Sequence, residues 1–426
     1  MCIRMIFCRG VDKIVMKRTV HILHVAASLS ANSAAGRLCL ALRSAGCRVT
    51  PLAAFPPLLE GGQFFSNNIW QSSLRSRFGQ IPLRLFPQRQ KDMPWSTPFV
   101  GNNLDKWVEA LQPDVVHMHW SAASTVNLKC LSRITAPIVW TFHDVWPITA
   151  GCHCNMECTQ WRFGCENCPQ LGCSVTGLNL AKYLWGYKRR AFANAKIDAI
   201  CPSRWLTEMT LQSPLWEGKN IHHLGNALDT NVFSPADKIE MRRVWKLPVD
   251  KPIILFGATV TSIFYKGFDL LLQALEHLRS QGVEAHLAVF GENPANNNLQ
   301  FPATCVGYVH DAAKLASLYA CADVFVVPSR QDNLPTTALE ACSCGIPCVA
   351  FSVGGIPEIV LHNKSGYIAQ NFDVKDLAHG IRHIIENPAI GAEWGKNARM
   401  HMLNNYESTI IARQHVDIYE NILLNF

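Results

Sequence analysis

Five cysteines and a histidine lie within the eighteen residues GCHCNMECTQWRFGCENC, positions 151–168. Four of the thiols, separated by five, six and two residues, could hold Zn²⁺ in a tetrahedral site. Because four protein ligands leave no open position, such an ion would be structural and not catalytic. Disulfides are the rival interpretation, and His153, Cys154 and Cys173 are additional candidate ligands. The predicted metal ligands are Cys152, Cys158, Cys165 and Cys168.

A second segment with chemical potential is VVPSRQDNLPTTALEACSCGIPCVAFSVGGIPEIV, residues 326–360. The pattern predicts a strand that ends at Pro328, a loop with Asp332, and a helix that Pro335 begins. Backbone N–H groups at such a helix start can hold an anion. Glu340, buried beside them, would suit the two vicinal hydroxyls of a ribose. An ordinary strand–helix segment with a capped helix is the plain alternative.

Two glycine-containing turns also attract attention. Gly354 and Gly355 stand where the backbone must approach a ligand or bend sharply. The loop from Ser28 to Gly36 follows the first predicted strand and opens a helix, so its N–H groups face whatever lies beyond that strand.

Composition narrows the class of protein. The chain has 426 residues, about two domains' worth, and a net charge of +7 that is too mild to argue for nucleic acid. Its 17 cysteines are an odd number, and many lie in apolar runs, which favours reduced, buried thiols. No run reaches the roughly 18 apolar residues of a spanning helix. Charges in residues 1–15 interrupt any signal-peptide core, so we expect a cytoplasmic protein.

Short β-rich runs alternate with helical stretches along two successive parts of the chain. This pattern predicts an α/β protein with two doubly wound, Rossmann-like domains that face a cleft, where ligands of such sheets bind. The polar stretch 224–238 reads as the linker between them. We expect an extension at 1–15 that need not be structured, with translation starting at Met16. The first domain is expected at 16–225, with a cysteine-rich insertion at 151–173. The second domain is expected at 226–407, followed by a C-terminal helix at 408–426.

The motifs of the second half resemble a known family. Asp332 and Glu340 in their D-x7-E spacing, with GIPCVAF, VGGIPEIV, NKSGYIA and YKGFDLLLQAL, resemble retaining glycosyltransferases of family 4, which have the GT-B fold. The resemblance covers nearly the whole chain from about residue 19. It is greatest to bacterial exopolysaccharide, O-antigen and colanic-acid sugar transferases, which implies a hexosyltransferase-type enzyme with a role in surface polysaccharide synthesis.

The resemblance implies a role for each matching residue. Glu340 would bind the nucleotide ribose, Lys266 the diphosphate, and Asp332 a hydroxyl of the donor sugar. His143 would lie by the donor sugar across the cleft, with a strand-end histidine bonded to Asp144 as the plain alternative. Further donor contacts would come from Asn333, Leu334, Pro335 and Thr336, and the loop containing Ser33, Ala35 and Gly36 would close over phosphate or acceptor.

The chemistry implied needs no metal, because a lysine and helix N–H groups would stabilise the charge that develops on the leaving diphosphate. The family commonly has an arginine shortly before the diphosphate lysine, but the stretch GATVTSIFYKG has none. Either Lys266 and the helix suffice, or a basic group of the first domain contributes. His117 and His119 are interpreted as structural residues at a sheet end.

The expected partners are a UDP- or GDP-sugar donor and a saccharide or lipid-diphosphate-linked acceptor, with peripheral contact at the inner membrane. Two stretches rich in basic and aromatic residues, 75–91 and 182–190, would contact anionic headgroups, or else are solvated helix faces. The alternative functions are a catalytically silent nucleotide-sugar-binding scaffold and a nucleotide-sugar epimerase of the same fold.

Overall fold

Two parallel sheets follow one another along the chain in the computed structural model, which describes residues 19–66, 69–122, 124–261, 263–292 and 301–426. The predicted extension at 1–15 and the start at Met16 lie outside the described residues. The first sheet has the order β3-β2-β1-β4-β5-β6-β7. Its strands are β1 (His21–Ala26), β2 (Arg48–Ala53), β3 (Gln63–Phe64), β4 (Val115–Met118), β5 (Ile138–Thr141), β6 (Ile197–Cys201) and β7 (Ile221–His223).

The central strands β1, β4 and β5 are buried at every position, because helices cover both faces of this sheet. The helices of this part are α1 (Ala34–Ser44), α2 (Ile69–Gln80), α3 (Leu104–Leu111), α4 (Leu180–Ala193) and α5 (Arg204–Leu211). Short 3₁₀ turns lie between them at Ile81–Leu85, Leu128–Arg133, Trp146–Ile148 and Gln160–Arg162.

The second sheet has six parallel strands in the order β10-β9-β8-β11-β12-β13. Its strands are β8 (Ile253–Val260), β9 (His286–Glu292), β10 (Ala303–Gly307), β11 (Val324–Val327), β12 (Cys348–Phe351) and β13 (Gly366–Ala369). Its helices are α6 (Lys238–Val244), α7 (Phe268–Ser280), α8 (Ala312–Tyr319), α9 (Thr336–Ser343), α10 (Ile356–Ile359), α11 (Val374–Glu386) and α12 (Pro388–Asn405). The predicted fold class, two doubly wound parallel sheets, is thereby confirmed.

The last helix, α13 (Ser408–Asn425), returns to the first sheet. It packs beside α1 in a core that includes Ile411, Val416 and Tyr419. The chain passes between the two halves twice, and the two crossing segments lie side by side. The N–H of Leu228 donates to the carbonyl of Tyr406, and the N–H of Ser408 donates to the carbonyl of Leu228. The C-terminal helix therefore belongs to the core of the first half.

One local prediction needs correction. Pro335 was expected to occupy the first turn of its helix, but α9 begins at Thr336 and Pro335 holds the cap position with an extended ψ of 117°. Proline cannot donate from its nitrogen, so it fits the residue before a helix as well as the first turn.

Candidate active site

Lys266 and Asp332 meet at the carboxyl edge of the second sheet. Lys266 ends the 3₁₀ turn Phe264–Lys266 after β8, and Asp332 lies in the loop after β11. Lys266 Nζ lies 2.6 Å from Asp332 Oδ2. Burial alone would lower the pKa of Lys266, but the Asp332 carboxylate outweighs it and holds that pKa above the ordinary value. The lysine is therefore a firm cation at neutral pH.

Glu340 projects from α9 and is 3% exposed. Both of its carboxylate oxygens have partners: Oε1 lies 2.5 Å from Arg37 Nη2, and Oε2 accepts a 2.7 Å hydrogen bond from the Tyr319 hydroxyl. Arg37 belongs to α1 of the first half, and its guanidinium also lies 4.8 Å from the centre of the Phe233 ring. The predicted ribose-binding carboxylate thus forms a buried ion pair between the two halves of the molecule.

The donor loop, residues 331–336, carries the remaining predicted donor contacts. Asn333 joins the two halves, because its amide donates to the Phe142 carbonyl at 3.0 Å and accepts from the Ser203 hydroxyl at 2.6 Å. Leu334 is buried, and no side chain caps the start of α9 after Pro335. The first N–H groups of α9, beginning at Thr336, therefore remain suited to an anion.

Close backbone packing explains the glycine turn. A Cβ atom on Gly354 would lie 1.6 Å from the Asp332 carbonyl oxygen, and Gly354 has a φ of 56°. A Cβ on Gly355 would lie 2.1 Å from the Asn333 carbonyl oxygen. The glycines let this turn hold the backbone of the donor loop directly.

His143 follows β5 in the first half and is only partly buried. Its Nε2 lies 3.0 Å from Nδ1 of His119, whereas Asp144 accepts hydrogen bonds from His153 at 2.7 Å and Trp120 at 2.9 Å. The plain alternative, His143 bonded to Asp144, is therefore not what the structure shows. Burial lowers the pKa of His143 to about 4, against a smaller opposing effect of Asp144.

His119 is part of a buried histidine cluster with His24 and His117. In the described part of the chain, this is the one set of three or more histidine, cysteine or acidic ligand atoms that all lie within 4.8 Å of one another. His24 Nε2 donates to the Ala35 carbonyl at 2.8 Å, and His117 Nδ1 lies 2.6 Å from the Tyr419 hydroxyl. Burial lowers the pKa of His24 to about 3 and those of His117 and His119 well below the usual value. The cluster is therefore neutral and lies beneath α1 and α13.

The predicted phosphate loop is a tight turn. The Ser33 hydroxyl accepts a hydrogen bond from the Gly36 N–H at 3.1 Å and caps α1. The Ala35 carbonyl accepts a hydrogen bond from His24. A Cβ on Gly36 would lie 1.8 Å from the Ser30 carbonyl oxygen. These residues shape the loop, and the charged group beside them is the neighbouring Arg37.

The cysteine-rich loop, residues 151–173, holds reduced thiols. Among the described cysteines no disulfide forms, and Cys152 and Cys165 are buried. Burial raises the pKa of Cys165 to about 12 and that of Cys152 well above the usual value. No three of the four predicted sulfurs, those of Cys152, Cys158, Cys165 and Cys168, come within 4.8 Å of one another as the histidines do. The zinc site stays a prediction.

The loop nevertheless lies at the interface of the two halves. The N–H of Met156 donates to Gln331 Oε1 at 2.7 Å, and Gln331 Nε2 donates to Asn155 Oδ1 at 3.2 Å. His153 joins the same loop to Asp144, next to His143. The loop therefore connects the surroundings of His143 with the residue that precedes Asp332.

The sequence analysis did not identify Arg37 and Tyr319 as residues of this site, and it gave His119 and His153 other roles. Arg37 could have been identified from the sequence, because it directly follows the predicted phosphate loop. His153 was considered only as an extra metal ligand, and His119 only as a structural residue. Tyr319 lies in an apolar helix, and nothing in its neighbourhood indicates that its hydroxyl reaches Glu340.

Both halves match models of sugar-transferring protein families. Residues 31–232 match Glycosyltransferase Family 4, and residues 237–401 match Glycosyl transferases group 1. The two matched ranges together cover most of the chain. They include all strands of the second sheet and all strands of the first except β1. Each half of the chain therefore matches its own glycosyltransferase family model.

The curated relatives of the chain include proteins that are named as glycosyltransferases. The chain is 30% identical to D-inositol 3-phosphate glycosyltransferase of Mycolicibacterium smegmatis over 64% of its own length and 60% of the relative's. It is 30% identical to a GDP-mannose-dependent phosphatidylinositol monomannoside mannosyltransferase of the same organism, over 44% and 53% of the two chains. The chain spans about half the length of the curated relatives it matches, from 44% to 63% for the first four.

Solved structures share the fold at low sequence identity. Sucrose-phosphate synthase of Thermosynechococcus elongatus superposes with a TM-score of 0.69 at 19% identity, covering 96% of this chain and all of that one. HepE of Anabaena, solved with UDP and glucose, gives 0.62 at 18%, covering 94% and 100%. At these identities the likeness concerns the fold.

Proposed function

We propose that the protein is a retaining glycosyltransferase that moves a sugar from a nucleotide-sugar donor to a saccharide acceptor. The observation that carries the proposal is the contact of Lys266 with Asp332 at one edge of the second sheet, in the loop that leads to the helix of Glu340. Asn333 of the same loop is hydrogen-bonded to the residue before His143. Cleavage of the sugar–phosphate bond develops negative charge on the diphosphate. A firm cation and open helix N–H groups stabilise that charge.

In this proposal Glu340 binds the ribose, Lys266 the diphosphate, and Asp332 a sugar hydroxyl, with His143 beside the sugar. The donor sugar would keep its anomeric configuration through same-face substitution. That route does not need the pair of carboxylates that retaining glycosidases place on either side of one bond. The Lys266–Asp332 pair means that a donor must share or displace this contact when it binds.

The donor class is proposed as UDP- or GDP-sugar. One relative is named for its dependence on GDP-mannose, and HepE was solved with UDP. A lipid-linked acceptor agrees with the phosphatidylinositol mannoside in that relative's name. A role in bacterial surface polysaccharide synthesis, at the cytoplasmic face of the membrane, rests on the sequence resemblance. No helix among the described residues has the length and apolarity to cross a bilayer.

The missing arginine favours one competing function, a silent nucleotide-sugar-binding scaffold. Lys266 is already paired with Asp332, so the diphosphate would meet less free positive charge than in a site with a second cation. Arg37 is a basic residue of the first half that contacts the site directly, since it forms an ion pair with Glu340. Slow hydrolysis of a bound nucleotide sugar would separate an enzyme from a scaffold.

The test is a thermal-shift panel of UDP-, GDP- and ADP-sugars on the full chain. A ligand at a hundred times its dissociation constant adds about 2.7 kcal/mol to the unfolding free energy. Glu340→Ala should lose most of this shift, whereas Glu386→Ala, an exposed carboxylate on α11, should keep it. No shift with any nucleotide sugar would overturn the proposal.

A further inference from the structure

An open cavity of about 1040 Å³ lies beside the candidate active site, between the cysteine-rich loop and the second half of the molecule. This volume is at the upper end of the range for ligand pockets. None of His143, Lys266, Asp332 and Glu340 lines it. The cavity is therefore a separate space next to the donor residues.

The cavity borders the donor loop directly. Gln331, which precedes Asp332, lines it, and so does Gly354, whose α-carbon packs against the Asp332 carbonyl. The opposite wall is the cysteine-rich loop, which the Met156–Gln331 and Asn155–Gln331 hydrogen bonds dock onto this border. A molecule in the cavity would lie alongside the predicted site of the donor sugar.

The lining combines amide groups with aromatic rings. Amides both donate and accept hydrogen bonds, so they suit a ligand with many hydroxyls. Gln170 is 5% exposed, and its Oε1 has no hydrogen-bond partner among the described residues, which leaves a buried acceptor in the wall. Phe264 and Phe372 are 46% and 43% exposed and offer apolar ring surface to a sugar ring. The amides of the lining are Gln90, Asn155, Gln170, Gln331 and Asn371.

The charges of the lining argue against a phosphate group. Arg330 is its one basic residue, and both terminal nitrogens are bonded to Asp269, at 2.7 and 2.6 Å. The guanidinium also lies 4.1 Å from the centre of the Phe264 ring. Asp92 and Glu157 add negative charge, which repels an anion.

From these observations we propose that the cavity is the acceptor site, that it takes a neutral saccharide, and that the cysteine-rich loop exists to form its wall. The inference rests on the proposed function. An acceptor hydroxyl oxygen forms the bond to the anomeric carbon, and the bond from that carbon to the diphosphate oxygen breaks. The hydroxyl proton passes to the leaving diphosphate, and a nucleoside diphosphate is released.

The test compares Phe372→Ala and Asn371→Ala with Phe163→Ala, a phenylalanine of the cysteine-rich loop that is 72% exposed and outside the cavity. The probes are neutral mono-, di- and trisaccharides of glucose, galactose and mannose. Their binding is followed by tryptophan fluorescence without donor, since Trp205 lines the cavity. Both cavity variants should raise the saccharide dissociation constant by about tenfold or more, as expected for the loss of one ring contact or one well-made hydrogen bond. Phe163→Ala should not.

Separate readouts distinguish the two proposals. Nucleotide binding followed by thermal shift should be unchanged in both cavity variants, because neither residue belongs to the proposed donor contacts. If no saccharide binds, or if the three variants bind equally, the acceptor site is elsewhere. If inorganic pyrophosphate displaces the saccharide, the neutral-ligand assignment is wrong. A parent protein that binds saccharide but no nucleotide sugar would instead contradict the proposed transferase.

Discussion

At the scale of single residues, charge pairing organises the site. Lys266 and Asp332 neutralise each other, and Glu340 is held by Arg37 and Tyr319. Each of these contacts includes at least one group that the proposed donor would contact. Binding of a nucleotide sugar would therefore exchange protein–protein contacts for protein–ligand contacts, which makes the ion pairs the natural targets of mutation.

Replacing Lys266 by alanine should lower turnover more than it weakens donor binding. The reason is that the charge on the diphosphate grows in the transition state, so its partner matters most there. We expect a loss of kcat of about a hundredfold, in the range found for the removal of one preorganised charge-stabilising group. Comparison of kcat and the donor dissociation constant checks this.

Lys251→Ala provides a control for that substitution, since Lys251 pairs with Glu284 on the exposed surface. Its kcat should equal that of the parent. Unchanged turnover in Lys266→Ala would favour the scaffold interpretation.

At the scale of elements, the cysteine-rich loop is the unusual feature. It interrupts the alternation of strand and helix between β5 and α4. Beneath it Lys188 is fully buried, donates to the carbonyls of Trp146 and Thr149 at 2.5 and 3.0 Å, and lies 3.3 Å from the centre of the Trp146 ring. Burial lowers the pKa of Lys188 to about 7, against the smaller effect of neighbouring Cys152. Thiolates bound to zinc would supply a negative partner for this lysine.

If the predicted zinc site exists, the purified protein should carry about one Zn²⁺ per chain. Changing Cys165 and Cys168 together to serine should release it, because neutral hydroxyls are poor substitutes for thiolates. The loop should then become sensitive to protease and activity should fall, while nucleotide binding at Glu340 persists. Elemental analysis and limited proteolysis measure both effects.

The matched control is Cys305→Ser, an exposed cysteine on β10 that should leave the metal content unchanged. Metal-free parent protein with all four thiols open to alkylation would exclude the zinc site. Oxidised pairs would support the disulfide interpretation.

At the scale of the whole molecule, Arg37 and Glu340 join the two halves through a buried ion pair. Removing one member of such a pair leaves an uncompensated buried charge. Arg37→Met should therefore lower the unfolding free energy by about 3 kcal/mol. The double change Arg37→Met with Glu340→Gln should recover part of that loss, and a denaturant-unfolding cycle of the four proteins measures the coupling. Additive effects would mean that the pair contributes no coupling.

Acid should destabilise the fold through histidines that are buried, such as His24 and His415, or partly buried, such as His143. Burial lowers the pKa of His24 to about 3 and those of His143 and His415 to about 4, all below the 6.5 of the unfolded chain. Below pH 6.5 the unfolded state therefore binds more protons than the folded state. The unfolding free energy therefore decreases as the pH falls from 6.5 toward 4, by up to about 1.4 kcal/mol for each pH unit and each such histidine.

Melting temperatures between pH 7 and 5 check this expectation. His415→Gln should make the decline shallower, whereas His310→Gln, at an exposed position, should leave the slope unchanged. Equal slopes in all three proteins would show that the buried histidine does not contribute.

The fold could largely be read from the sequence, because its signals are local. The apolar run 19–26 contains β1, which is buried at every position, and the run 252–258 leads into β8, whose first six residues are buried, as is typical of parallel sheets. The roles of Lys266, Asp332, Glu340 and His143 came from motifs of the resemblance and stay predictions.

Only the tertiary structure decided which groups meet. Arg37 and Glu340 are 303 positions apart, and His119 and His143 follow neighbouring strands, so no local pattern relates them. Likewise, the contact of Met156 with Gln331 requires both halves to be folded and joined. Side-chain periodicity records which face of an element is buried, whereas an ion pair or cavity wall depends on how separate elements pack. The chain thus determined its two sheets through local pattern, and the site and cavity between them arose from their assembly.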